Sequence, residues 1–131
     1  MGAEAGFLTA LLTTVAFLAA AAVMGRKRRI RAHVAMVACA VTSLAVTIVF
    51  ALRVGELYDL EAAGVITPIH LNLARVTTLV YLWPLATGPL AARGRVSPRV
   101  HHAGAYLALG MTLAATVTGV LMLLGAERLP G

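Results

Sequence analysis

Residues 33–52 read HVAMVACAVTSLAVTIVFAL, a stretch without Lys, Arg, Asp or Glu. A helix of this length covers about 30 Å, which is the thickness of the hydrocarbon core of a bilayer. The apolar residues form a continuous run and do not alternate with polar ones, so a helix is favoured over a strand of a small barrel. The stretch therefore predicts a transmembrane helix.

Three further apolar stretches lie at residues 5–24, 68–92 and 101–124. Of the 131 residues, 60% are hydrophobic and only 12% are charged, and a soluble domain of this size has too little interior to bury them. We predict an all-α integral membrane four-helix bundle, with up-down-up-down topology, formed by residues 1–131 as a single domain. This composition excludes a soluble enzyme and a disordered chain. The chain has one cysteine, Cys39, so a disulfide scaffold is excluded as well.

The net charge of +6 comes largely from two acid-free basic clusters, at residues 26–31 and 93–99. Both lie between apolar stretches, so we interpret them as cytoplasmic loops that contact anionic lipid headgroups and not as a nucleic-acid surface. The middle loop carries Glu56, Asp59 and Glu61 and is predicted to lie outside. Both termini are then also outside, in a protein of the bacterial inner membrane.

Four histidines lie near predicted helix starts, and two of them follow a repeated pattern. Arg-x-His, ending at His33 and at His101, opens the second and the fourth helix directly after a basic loop. Imidazole is the commonest protein ligand of metals and also binds haem iron. We predict that His33 and His101 face each other near the cytoplasmic surface as ligands of haem or copper. His70, on the opposite side, is a further candidate ligand. The alternative is that each histidine only reaches the headgroup region from its helix end.

A stripe of small residues follows His101 along one face of the fourth helix. Its members are Gly104, Ala108, Thr112, Ala115 and Gly119. Small residues allow membrane helices to approach closely, so this face is predicted to pack in the bundle.

Arg75 lies about seven residues inside the third apolar stretch, with Asn72 on the same side. An ionisable residue at such a depth is a candidate functional residue and needs a partner or a cavity. We predict that it points into the bundle, towards a carboxylate, a carbonyl or a haem propionate. A structural salt bridge or simple extension to the interface is the alternative. Pro84 is expected to kink this helix or to mark the approach to its cytoplasmic end.

The last three apolar stretches resemble the CtaM-like family of small four-helix membrane proteins. The resemblance rests on the second helix, on a proline and basic turn in the third, and on a His and a Thr-Gly-Val triplet in the fourth. The matching residues are Arg31, His33, Met36, Ser43, Pro84, Arg93, Gly94, Arg95, His101, Thr118, Gly119 and Val120. The family's third histidine would fall near Arg75, whereas this chain has His70 five residues earlier.

This resemblance implies an accessory or assembly protein of a respiratory haem–copper oxidase, with other membrane protein subunits as partners. His33 and His101, with Arg75, would then contribute to a haem or copper site. Two alternatives stay open. The chain would be a b-type haem electron-transfer protein with the same histidines as axial ligands, or a structural subunit of a larger membrane complex. No catalytic residue is predicted, because no phosphate loop, nucleophile elbow or zinc-protease motif is present.

Overall fold

The computed structural model describes residues 2–130 and is all-α apart from one short strand pair. Its five α-helices are α1 (Ala3–Arg26), α2 (Ile30–Leu57), α3 (Ile66–Val80), α4 (Leu82–Ala92) and α5 (Pro98–Gly125). A 3-10 helix, Glu61–Ala63, precedes α3. Strand β1 (Tyr58–Asp59) pairs antiparallel with β2 (Glu127–Arg128). Within residues 2–130, α1, α2 and α5 are long and apolar enough to cross a membrane.

The third predicted span is divided into two consecutive helices, α3 and α4. Helix α3 ends at Val80 and α4 begins at Leu82, so the break falls at Tyr81. Its cause is Pro84, whose nitrogen cannot donate to the Val80 carbonyl and whose ring collides with it. Tyr81 keeps right-handed helical torsion angles, with φ of −58° and ψ of −28°, so Pro84 interrupts the hydrogen-bond ladder and the kink expected from it stays a prediction.

The described residues form two compact units. The first hairpin consists of α1 and α2, together with β1 and β2, and the second hairpin packs α3 and α4 on α5. In the first hairpin the helices meet through small side chains, and the buried ones include Ala10, Thr14, Ala21, Ala40 and Thr47. Close approach through small residues is the usual way in which membrane helices pack.

The small-residue stripe predicted on α5 is confirmed as the packing face of the second hairpin. Gly104, Ala108, Thr112 and Gly119 are all buried, and Ala115 is half-buried. Much of the remaining helical surface is apolar and exposed, as in Leu113, Val117 and Leu121, which suits contact with lipid and not with water.

Both basic loops close their helices with the same cap. After α1, Arg28 has a positive φ of 55°, and the amides of Arg28 and Arg29 donate to carbonyls of the last helical turn. After α4, Gly94 has a φ of 69°, as Arg28 has a positive φ after α1. The amides of Gly94 and Arg95 donate to carbonyls of the last turn of α4 in the same way. This is a Schellman cap, for which glycine is the usual left-handed residue. The two hairpins thus turn at their basic ends in the same way.

Candidate functional site

His33 is the fourth residue of α2, and its ring packs against α1 at the basic end of the first hairpin. Its Nδ1 atom lies 2.8 Å from the Ala21 carbonyl oxygen. A Cβ atom added at Gly25 would lie only 3.2 Å from Nδ1, so the ring occupies the space over that glycine.

His101 repeats this arrangement at the basic end of the second hairpin. It is the fourth residue of α5, and its Nδ1 atom lies 3.2 Å from the Pro84 carbonyl oxygen. The Thr87 hydroxyl is farther away, at 3.5 Å. A Cβ atom at Gly88 would lie 3.3 Å from Cε1 of the ring. In each hairpin the glycine therefore follows the acceptor residue by four positions, so that one helix face provides both.

These contacts decide which ring nitrogen is the base. A carbonyl oxygen only accepts hydrogen bonds, so the Nδ1 atoms of His33 and His101 carry the proton and donate it. In a neutral imidazole the lone pair is then on Nε2. A ligand histidine is commonly held in this way, by donation from its other ring nitrogen to a backbone carbonyl. Both histidines share this Nδ1 arrangement with ligand histidines.

His70 belongs to the other end of the second hairpin. Its Nδ1 atom lies 3.1 Å from the Thr118 hydroxyl, and its ring covers Gly119, where a Cβ atom would come within 2.8 Å of Cε1. Gly119 is roughly 27 Å from His101 along α5 at ~1.5 Å per residue. His70 and His101 therefore cannot ligate the same ion. Among residues 2–130, no group of three or more His, Cys, Asp or Glu side chains is arranged to hold a metal ion.

Arg75 is exposed and lies on the side of α3 away from α5. Around the helix axis, at ~100° per residue, Arg75 lies about 160° from Thr77. Thr77 is buried, so Arg75 is on the opposite face. Asn72, one turn earlier, is exposed as well. The predicted inward orientation of Arg75 is therefore wrong for this structure, because α3 turns the opposite face, with Thr77, towards α5. The partner of Arg75 stays a prediction.

Two buried hydroxyl contacts were not predicted. In the first hairpin, the fully buried Thr14 hydroxyl lies 2.9 Å from Ser43 Oγ and 3.3 Å from Thr47 Oγ1. In the second hairpin, the Tyr81 and Thr112 hydroxyls are 2.8 Å apart. Buried hydroxyls need such partners, and the presence of Thr or Ser in facing helices was the available signal.

The end of the first hairpin opposite the basic loop is closed by a polar contact. The Tyr58 hydroxyl donates a hydrogen bond of 2.7 Å to Glu4 Oε1. This bond holds the proton and raises the pKa of Tyr58 above its ordinary value. Tyr58 also belongs to strand β1, which pairs with β2. Glu4, the segment after α2 and residues 127–128 therefore lie at the same end of this unit.

Comparison of the chain with protein-family models, with curated proteins and with solved structures finds no match.

Proposed function

We propose that this chain is a small integral membrane protein that serves a respiratory haem–copper oxidase as an accessory or assembly protein. Three long apolar helices support membrane insertion, and α3 with α4 provides the fourth crossing in this proposal. The link to oxidases is supported by the resemblance to the CtaM-like family, which covers His33, His101 and the Thr118–Val120 triplet.

The observation that carries a ligand-binding role is the repeated imidazole contact. His33 and His101 each donate from Nδ1 to a carbonyl of the preceding helix and each cover a glycine. Holding a ring in one tautomer and one orientation is what a metal or haem site requires. In this proposal Nε2 of each ring binds copper or haem at the cytoplasmic side.

The proposed orientation places both termini outside and the basic loops in the cytoplasm. It is supported by the separation of charge along the first hairpin. The basic cluster at residues 26–31 lies at one end, whereas Glu4 and Glu127 lie at the other, next to β1. Positive charge on the cytoplasmic side is the general rule for membrane proteins.

The test is the visible spectrum and copper content of the detergent-purified chain. Bound copper without a Soret band, lost in His33→Ala and in His101→Ala, is the result expected for the accessory protein. The control is His102→Ala, because His102 is exposed and neighbours His101 in sequence. The ratio of metal to protein shows whether one ion uses one imidazole or both.

Other results would favour the alternatives. A Soret band that requires both histidines would support a b-type haem electron carrier. If neither copper nor haem is bound after purification in the presence of both, the ligand-binding role is contradicted. The structural subunit is then the remaining alternative.

A further inference from the structure

The exposed face of α3 carries a polar pair in an apolar setting. Asn72 and Arg75 are exposed one turn apart, and the neighbouring Val76 and Leu79 have exposures of 49% and 66%. Side chains at i, i+3, i+4 and i+7 share one helix face. This face is distinct from the one that packs on α5, which carries His70 and Thr77.

The depth of Arg75 follows from the lengths of the two helices. Helices α3 and α4 with Tyr81 extend over about 27 residues, or roughly 40 Å, against a hydrocarbon core of about 30 Å. If the segment is centred, the Arg75 backbone lies roughly 8 Å inside the core. An arginine whose guanidinium stays at such a depth needs a compensating group, and otherwise its side chain extends to the headgroups.

The chain does not contain that group at the required depth. Its five acidic residues are Glu4, Glu56, Asp59, Glu61 and Glu127. Each lies in a terminal helical turn or outside the long helices. A second copy of the chain would have its carboxylates at the same places, so it would not place one beside Arg75 either.

We propose that the α3 face around Asn72 and Arg75 docks, within the membrane, on a helix of a different membrane protein that carries a carboxylate at this depth. The planar guanidinium matches a carboxylate through two parallel hydrogen bonds, and the Asn72 amide adds a further donor. A lipid phosphate is the competing partner, because an extended arginine side chain reaches from this depth towards the headgroups, and added phosphatidylglycerol in the test distinguishes the two. The inference rests on the proposed membrane placement of α3 and α4 and is independent of the histidines.

The test uses the full-length chain in phosphatidylcholine vesicles at pH 8, with Trp83 as the fluorescent donor. Trp83 is the one tryptophan of the chain. The probe is a synthetic, tryptophan-free apolar helix with a dansyl acceptor. It carries a single Glu about 8 Å inside the hydrocarbon core, which is the depth worked out for Arg75. Its matched control has Gln at that position. We expect roughly tenfold tighter association with the Glu helix, and loss of that preference in Arg75→Leu. Arg75→Lys should keep part of it, and Asn72→Ala should weaken it.

Arg53→Leu is the control variant, because Arg53 is exposed but lies on α2, and it should leave the preference unchanged. Equal association with the Glu and Gln helices, or an unchanged preference in Arg75→Leu, would overturn the proposal. It is also overturned if the chain associates with itself through Arg75, or if added phosphatidylglycerol abolishes the preference. Quenching of Trp83 by brominated acyl chains is measured first. If it is absent, the membrane placement has failed, which is distinct from a failure of docking.

Discussion

Replacing Gly104 by Ala tests whether close helix contact holds the second hairpin together. A Cβ atom at Gly104 would lie 2.7 Å from both Cγ and Cδ1 of Trp83, about 1 Å less than normal carbon–carbon contact. Because Cγ is the base of the indole, the ring cannot escape without changing its rotamer. Overpacking of this kind costs about 1–3 kcal/mol.

Alanine also favours a helix over glycine by about 1 kcal/mol, which would mask part of this cost. Gly110→Ala is the matched control, because it lies in the same helix and a Cβ atom there meets nothing within 4 Å. Both variants gain the same helix preference, so the difference between their free energies of unfolding reports the cost of the clash alone. We expect Gly104→Ala to be less stable than Gly110→Ala by about 1–3 kcal/mol.

The assay is unfolding in mixed micelles with increasing dodecyl sulfate, followed by circular dichroism. Trp83 emission gives a local measure, and it should shift in Gly104→Ala but not in Gly110→Ala. Equal stability of the two variants, with unchanged emission, would refute the reasoning that the indole and the glycine are tightly packed.

Three further outcomes are expected. Thr14→Val removes the buried hydroxyl that contacts α2 and should destabilise the first hairpin by about 0.6–2 kcal/mol, whereas Thr42→Val, whose hydroxyl bonds only within its own helix, should be neutral in the same micelle assay. Tyr58 should ionise at higher pH than a free tyrosine in an ultraviolet titration, and Glu4→Ala should reduce the difference, because the Glu4 hydrogen bond is its largest cause. Because its folded pKa is raised, the stabilisation from this bond is complete below the ordinary tyrosine pKa and is lost as pH rises through the folded value. In a cysteine-free background, a membrane-impermeant thiol reagent should label a cysteine at position 127 of intact cells and not one at position 95; the reverse pattern would contradict the proposed orientation.

The helices could be predicted from the sequence because a membrane crossing requires one long apolar run. The runs at 33–52 and 101–124 correspond to α2 and α5, although both helices extend several residues beyond them. Helix α2 continues through Arg53 and Glu56, since a polar turn remains helical once the helix has formed and reaches the interface. The break before Pro84 was also predictable, because it follows from the missing N–H of one residue.

The hydroxyl contacts and the β1–β2 pair could not be predicted in this way. Thr14 meets Ser43 only because α1 and α2 have a particular rotation about their axes, and apolar content does not encode that rotation. The pairing of Tyr58 with Arg128 joins residues 70 positions apart, and two-residue strands leave no alternating pattern in the sequence. For Arg75, the sequence argument predicted a side chain that points into the bundle, whereas the structure has it on the exposed face of α3.

The two histidine contacts show how a weak repeat in the sequence reflects a definite geometry. A helix carbonyl points towards the residue four positions later, so a ring that bonds to the carbonyl of Ala21 or Pro84 must occupy the space over that later residue. A Cβ atom there would lie 3.2–3.3 Å from the ring, closer than ordinary van der Waals contact, and both positions are glycine, Gly25 and Gly88. The glycine and the histidine therefore form one structural arrangement, although they belong to different helices and are separated by a basic loop. The spacing from glycine to histidine differs between the hairpins, because the loops differ in length and because Gly88 lies farther from the end of its helix than Gly25 does. Only the Arg-x-His pattern at the start of the second helix is shared in sequence, because only that part of the arrangement lies within one helix.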